Sequence, residues 1–329
     1  MEAWEKFRSF VSENNLVSAG DRVILAVSGG PDSVCLAHLF WRLKKTLPLE
    51  LMIVNMDHGL RKESSRESRK VEALGKKLGI PVIVRGIKVR QASGPGKDSL
   101  ETAGRNLRYE LLFKLAKQTG FNKIATGHNA NDNAETVLMW LIRGAGTDGL
   151  SGIPAARSGR GPARIIRPIL SVTREEIMSY IRAQKLPYST DSSNLTLDFT
   201  RNRIRHKVVP LLEGFNPRLV EHIFNLSRIV GKDNEMIGDM ARGALKRIAK
   251  AAKNRISLDL KGFFRYNEAV KFRIIKEILP EKVSLSSIRR VYALAASKNR
   301  KEIILSKVWR VEKRGSKIMF SKSRTTGSL

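Results

Sequence analysis

The stretch Arg22-Val-Ile-Leu-Ala-Val27-Ser-Gly-Gly-Pro-Asp-Ser33, followed by the apolar run Val34–Leu43, constrains the fold more than any other. A bare apolar run reads as a strand buried on both faces, which requires helices on both sides of its sheet. The pair Gly29-Gly30 lets the backbone turn sharply and bring its N–H groups near a phosphate. The helix that follows adds the positive end of its dipole. Ser28 and Ser33 offer hydroxyl donors, and Pro31 suits a first helical turn. Asp32 is the odd member, because a carboxylate facing a phosphate is repelled unless a cation such as magnesium lies between them. The segment has neither a Gly-Lys-Ser/Thr ending nor a G-x-G-x-x-G pattern. Taken alone, a tight turn with Ser28 or Asp32 as helix cap explains the six residues equally well.

The same rhythm repeats downstream. Leu51–Asn55, Ile80–Val84 and Lys123–Thr126 read as strands, and Glu63–Leu78 and Ala134–Arg143 as helices. Asp98 and Glu101 have capping-box spacing ahead of a helix with the stripe Ala103, Leu107, Leu111 and Leu115. Arg164–Leu170 is a fifth strand, assigned to the sheet edge because it contains Pro168. Such units predict an α/β fold with a parallel, five-stranded, doubly wound sheet. Ligands of these sheets bind beyond the carboxyl ends of the strands, which singles out Ser28–Ser33, Asp57-His58-Gly59 and Gly127-His128. The glycine-rich loop 144–163 is expected to close over substrates.

Further on the pattern changes to a long helix over Pro217–Lys250, more helices to Ala296 and a hairpin-like stretch, Glu302–Phe320. A boundary at 212 gives a nucleotide-binding domain, 1–212, and a basic, mainly helical domain, 213–329. The chain of 329 residues carries 61 lysines and arginines against 31 acids, a net charge of +30, and residues 211–329 alone hold 27 against 11. That surplus gathers polyanions, of which nucleic acid is the commonest, although a generally basic protein is the plainer alternative. The single cysteine, Cys35, lies in an apolar run and excludes a disulfide framework or a cysteine-rich metal site within the chain. Trp4, Phe7, Phe10 and Val11 fall at helical spacing, as in an amphipathic first helix rather than a signal peptide. No stretch reaches membrane-spanning length, and a cytoplasmic protein is expected.

In its strand–helix setting, Ser28–Ser33 resembles the S-G-G-x-D-S signature of the PP-loop ATP-pyrophosphatases. Asp57-His-Gly-Leu-Arg61, Glu101–Tyr109, Gly127–Thr136, Arg143–Ile153, Arg167-Pro-Ile-Leu170, and Asp191-Ser-Ser-Asn194 followed by Arg201–Arg205 then resemble tRNA(Ile)-lysidine synthetases, in the family's order. The resemblance implies a PP-loop (HUP-like) domain and a helical tRNA-binding region, without the extra C-terminal domain of some members. It also implies a carbon–nitrogen ligase that uses ATP and Mg2+. The wobble cytidine of a tRNA(Ile) with a CAU anticodon would attack the α-phosphorus, pyrophosphate would leave, and free L-lysine would displace AMP. No membrane is involved, and the oligomeric state stays open between monomer and homodimer.

Carried over residue by residue, the resemblance implies Ser28, Gly29, Gly30, Pro31, Asp32, Ser33, Met56 and Gly127 at ATP, and Asp32 with Asp132 at Mg2+. It implies catalytic roles for Asp32, Arg105, His128, Asp132, Glu135 and Arg205. Arg61, Arg108, Asp191, Asn194, Arg201 and Asn202 would meet tRNA or substrate. The family often has two adjacent aspartates where this chain has Asn131-Asp132, so a single metal ligand is expected there. His128, Asp132 and Glu135 could share a helical face if the helix starts early. His128 has an ordinary pKa that allows a general base, whereas a cap and an exposed acid are the plain alternatives for Asp132 and Glu135. A tRNA thiolase fits less well, because Cys35 alone cannot supply a sulfur-handling pair. An ammonia-dependent amide-forming enzyme would not need the basic domain, and a non-catalytic RNA-binding protein would not need the acids.

Overall fold

The computed structural model describes residues 2–57, 64–86, 100–158, 161, 163–189, 200–252, 254–279, 284–297, 301–306 and 309–322. Two compact units, Met1–Gly231 and Lys232–Leu329, divide the chain. The helices of the first are α1 (Ala3–Glu13), α2 (Pro31–Leu43), α3 (Ser64–Leu78), α4 (Leu100–Thr119), α5 (Ala130–Ile142), α6 (Thr147–Leu150), α7 (Arg174–Ala183), α8 (Thr200–Arg203) and α9 (Val209–Glu213). Helix α10 (Leu219–Ile248) starts in this unit. Its residues Val220, Ile223, Phe224 and Ser227 are buried there, which carries the first unit beyond residue 212.

Strands β1 (Arg22–Ala26), β2 (Glu50–Asp57), β3 (Val82–Gly86), β4 (Lys123–Ala125), β5 (Ala156–Ser158) and β6 (Arg164–Ile166) form one sheet, in the order β3-β2-β1-β4-β6-β5. The five expected strands run parallel, and β5 adds an antiparallel edge. Two readings of the sequence change here. The supposed loop 144–163 contains β5 and the short α6, and β6 is therefore an inner strand. Pro168 does not conflict with that position, because it lies just beyond the end of β6 and takes no bond from the ladder.

Side chains of β1 alternate between two cores, as the two-residue period of a strand dictates. Val23 and Leu25 face a cluster with Phe7, Leu36, Phe40 and Ile177, where Phe7 and Phe40 meet edge-on at 5.5 Å between centroids. Ile24 faces Val54, Leu112, Leu115, Ala116 and Ile165 on the other side. Both faces are covered, which is the physical reason for the bare apolar run. On α4 the buried stripe is Ala103, Leu112, Leu115 and Ala116, with Leu111 only half-buried. Asp98, read as its cap, lies outside the described residues.

The second unit has an antiparallel sheet of β7 (Ala249–Ala252), β8 (Arg255–Asp259), β9 (Glu302–Ile304), β10 (Trp309–Arg314) and β11 (Lys317–Lys322), in the order β7-β8-β11-β10-β9. Helices α11 (Leu260–Phe263), α12 (Glu268–Ile278) and α13 (Leu285–Ala296) share its core through Phe263, Ile274, Ile275 and Leu294. The hairpin of β10 and β11 turns at Gly315, whose φ is +56°. The mainly helical expectation thus missed β7 and β8, which are too short for a two-residue period to stand out. Among the described residues no helix is long and apolar enough to cross a membrane.

Candidate active site

β1 lies between β2 and β4, where the order of connection reverses, and the crevice beyond its carboxyl end opens there. The turn Val27–Gly30 leaves this point, with Gly29 at φ +94° and Gly30 capping α2. Pro31 occupies the first turn, as expected. The Ser33 hydroxyl accepts from the N–H groups of Ser28 and Gly29, both at 3.2 Å, and donates to the Gly30 carbonyl at 2.9 Å. The loop is thus held in a curled form by one of its own members. From β2, the Asn55 amide donates to the Val27 carbonyl at 2.8 Å and accepts from the Ser68 hydroxyl at 2.8 Å. From β4, the turn at Gly127 passes so near that a Cβ there would lie 3.3 Å from Asp32 C and Ser33 N. Glycine lets this turn approach the start of α2 that closely without displacing it.

Helix α5 starts at Ala130, earlier than the sequence pattern suggests, under a capping box: Asn129 Oδ1 accepts from the Asp132 N–H and Asp132 Oδ2 from the Asn129 N–H. His128 precedes the cap, so it does not continue the helical face of Asp132 and Glu135. Those two acids meet Arg201 of α8 and Arg205 of the π-turn Ile204–Val208. Arg201 donates to Glu135 at 2.8 Å and to Asp132 at 3.0 Å. Arg205 donates to Glu135 Oε2 at 3.0 Å and to Asp132 Oδ1 at 3.2 Å, with a further bond to Glu135 Oε1. Glu135 is only 1% exposed. Both arginines are therefore engaged by carboxylates, and a buried pair of this kind resists loss of either partner by about 3–5 kcal/mol.

Asp32 lies next to this cluster and outside its bonds. Its Oδ1 is buried without a hydrogen-bond partner, as is the Asn129 Nδ2 amide. Burial pushes its carboxyl up to about 6, and Asp132 adds to the rise, against the opposing pull of Arg174, Asn129 and Arg205. Two carboxylates that repel each other, one with a free oxygen, match what a hard divalent cation needs from a protein. Among the described residues no third acid, histidine or cysteine joins them. Such an ion would complete its shell with phosphate oxygens and water. Asn131 accepts from the Arg174 N–H at 2.8 Å and so fixes the start of α7.

His128 bonds the Thr126 hydroxyl through Nδ1 at 2.9 Å. Burial, followed by Arg167, Arg105, Arg201 and Arg108, pushes its pKa down to about 3. The imidazole is neutral at physiological pH and a poor proton acceptor, which argues against the general-base role that its ordinary pKa allows. It can still orient a phosphate or a base by hydrogen bonding. Arg105 and Arg108 of α4 lie near enough to act on this imidazole. Met56 is half-buried and packs against the core that holds Ile24. Asn202 lies on α8 between Arg201 and Arg203. Arg61, Asp191 and Asn194 lie outside the described residues, as do the side chains of Asp57 and Glu101 and the residues His58-Gly59.

Four contributors were absent from the candidates read off the sequence. Asn55 and Arg167 are polar residues at the ends of apolar strand runs, a signal available in the sequence. Asn129 is three residues before Asp132, the spacing of a capping box. Arg174 carries no sequence signal.

Residues 2–212 match the model of the PP-loop domain family. A tRNA(Ile)-lysidine synthase of Clostridioides difficile is 36% identical over 276 residues, 83% of this chain and 59% of that protein. One of Symbiobacterium thermophilum is 39% identical over 249 residues, 75% of this chain and 51% of that protein. The chain thus spans 51% to 59% of the length of these curated relatives. Among solved structures, a U34-tRNA thiolase from Methanococcus maripaludis aligns with a TM-score of 0.59 at 18% identity, over 69% of this chain and 78% of that one. At that identity the likeness is one of fold.

Proposed function

Since this chain belongs to the PP-loop domain family, we propose that it activates a cytidine of tRNA with ATP and joins lysine to it. The substrate would be the wobble position of an isoleucine tRNA with a CAU anticodon. The orphaned Asp32 Oδ1, set against Asp132 under a glycine loop, carries the ATP part of this reading. The names of the relatives and the charge of +30 carry the RNA part. The adenylating domain, placed at 1–212 on the sequence, would extend with its compact unit to Gly231 and leave 232–329 as the tRNA-binding part.

The N–H groups of Ser28, Gly29 and Gly30, with the start of α2, would cradle the phosphates once Ser33 turns its hydroxyl to them. Gly127 permits that approach, and Met56 would flank the adenine. Magnesium, held by Asp32 and Asp132, would offset the charge that grows on the phosphates in the transition state. Arg105 and Arg108 would stabilise the same spreading charge. Glu135, Arg201 and Arg205 hold Asp132 in place, and a shift in their bonds would free Arg205 for a phosphate. His128, neutral, would orient the cytosine. Sulfur transfer is disfavoured, because Cys35 is fully buried and burial raises its thiol far above the ordinary range.

The test is pyrophosphate release with ATP, Mg2+, bulk bacterial tRNA and single amino acids. Release should require tRNA, and AMP should be freed with lysine and with no other amino acid. Equal turnover without tRNA would overturn the assignment.

A further inference from the structure

Beyond the Ser28–Ser33 loop, three elements bring guanidinium groups to one aromatic ring. Tyr109 of α4 is half-buried, with Arg105 at 5.6 Å and Arg157 of β5 at 5.1 Å from its ring centroid. Arg167, just after β6, is only 2% exposed. Its Nη1 donates to the Pro154 carbonyl at 2.5 Å, and its backbone N–H donates to the Ala155 carbonyl at 2.8 Å. Its Nε is buried without a partner. Among the described residues no carboxylate pairs with Arg157 or Arg167.

We propose that Arg157 and Arg167, gathered with Arg105 around Tyr109, form a second oxyanion clamp that takes a phosphate group of the substrates. For the identity of those substrates the clamp rests on the function proposed above. A purely structural role accounts for part of the geometry, since Arg167 pins the strand that carries Arg157. Pinning needs one donor and leaves two facts over. The buried Nε stays empty, and the charged guanidinium is disfavoured first by burial and then by Arg157 and Arg105, against the favourable contact with Tyr109. An incoming oxyanion resolves both, because a guanidinium fork binds phosphate through two parallel bonds. Several cations together match a phosphate better than a single carboxylate. Arg157 is exposed, so a ligand can reach it from solvent. The clamp adjoins His128, whose imidazole senses both Arg105 and Arg167.

The phosphate has two sources, the pyrophosphate half of ATP and the backbone of the RNA. Binding to the full chain separates them. Inorganic pyrophosphate with Mg2+ is titrated by calorimetry, and bulk tRNA without ATP is titrated by filter binding at several salt concentrations. The variants are Arg157→Ala, Arg157→Lys and Arg167→Lys. Arg157→Ala should weaken one ligand by about tenfold to a hundredfold, with Arg157→Lys recovering part of the loss. Loss confined to pyrophosphate assigns the clamp to ATP. Loss confined to tRNA, with the salt slope falling by about one, assigns it to RNA. If Arg157→Ala and Arg167→Lys both bind both ligands within about twofold of the wild type, the clamp is wrong. Arg157 is exposed, so its variants test binding without disturbing the core. A wild type that binds both ligands but does not turn over with lysine would sink the proposed function and leave the clamp standing.

Discussion

Replacing Asp32 by asparagine in the metal-free protein removes a charge that the fold holds against its own tendency. The folded carboxyl titrates at about 6, whereas the same group in the unfolded chain titrates at 3.8. Between those values the unfolded chain has released its proton and the folded one has kept it. Stability therefore falls as pH rises through the window, and the loss persists above it. At about 1.4 kcal/mol per pKa unit, the full difference is about 3 kcal/mol, and partial solvent access reduces it to about 2–3. Asparagine keeps the shape and loses the charge. With a chelator present, urea unfolding at pH 7.5 should show Asp32→Asn more stable than the wild type by about 2–3 kcal/mol, shrinking to about 1 at pH 4.5. The same variant should lose pyrophosphate release, and Mg2+ with ATP should no longer raise its melting temperature. No gain at pH 7.5, or an equal gain at both pH values, would refute the reasoning.

Other outcomes follow from the same structure. Glu135→Ala leaves Arg201 and Arg205 without their main acceptor and should cost about 3–5 kcal/mol in urea unfolding, with Glu135→Gln losing less. His38 bonds the Tyr180 hydroxyl at 2.8 Å, and burial, then Lys77, Arg42 and Lys45, push it down to about 4. Because the unfolded chain takes up this proton first, the contribution of His38 to stability should fall from pH 6.5 downward, by about 1–2 kcal/mol at pH 4.5 once solvent screening is allowed for. His38→Gln should flatten that dependence. Gly127→Ala places a methyl against the start of α2 and should cut pyrophosphate release by about tenfold or more while costing about 1 kcal/mol of stability, as read by parallel assay and melt.

Much of the fold lies open in the sequence because its signals are local. An apolar run, two glycines and an apolar helix impose a buried strand, a tight turn and a helix start whatever surrounds them. The β10–β11 hairpin and the first amphipathic helix were readable for the same reason. β5 was not, since three residues in a glycine-rich stretch have no periodicity and become a strand only by pairing with β6. Among site residues, the Ser28–Ser33 loop needed only its neighbours in sequence. The roles of Glu135, Arg201 and Arg205 depend on contacts across more than 60 positions.

The sequence by itself determined that a tight glycine turn follows a buried strand, that Asp32 sits in it, and that the chain is strongly basic. Tertiary structure alone decided which charges face one another. It turned Asn131 toward α7, bound Asp132 and Glu135 to two arginines, and left Asp32 Oδ1 with no partner. It also made His128 neutral, first by burying it and then by setting guanidinium groups around it. The physical reason is that electrostatic energy depends on distance and burial in space, and neither is written in the order of the residues.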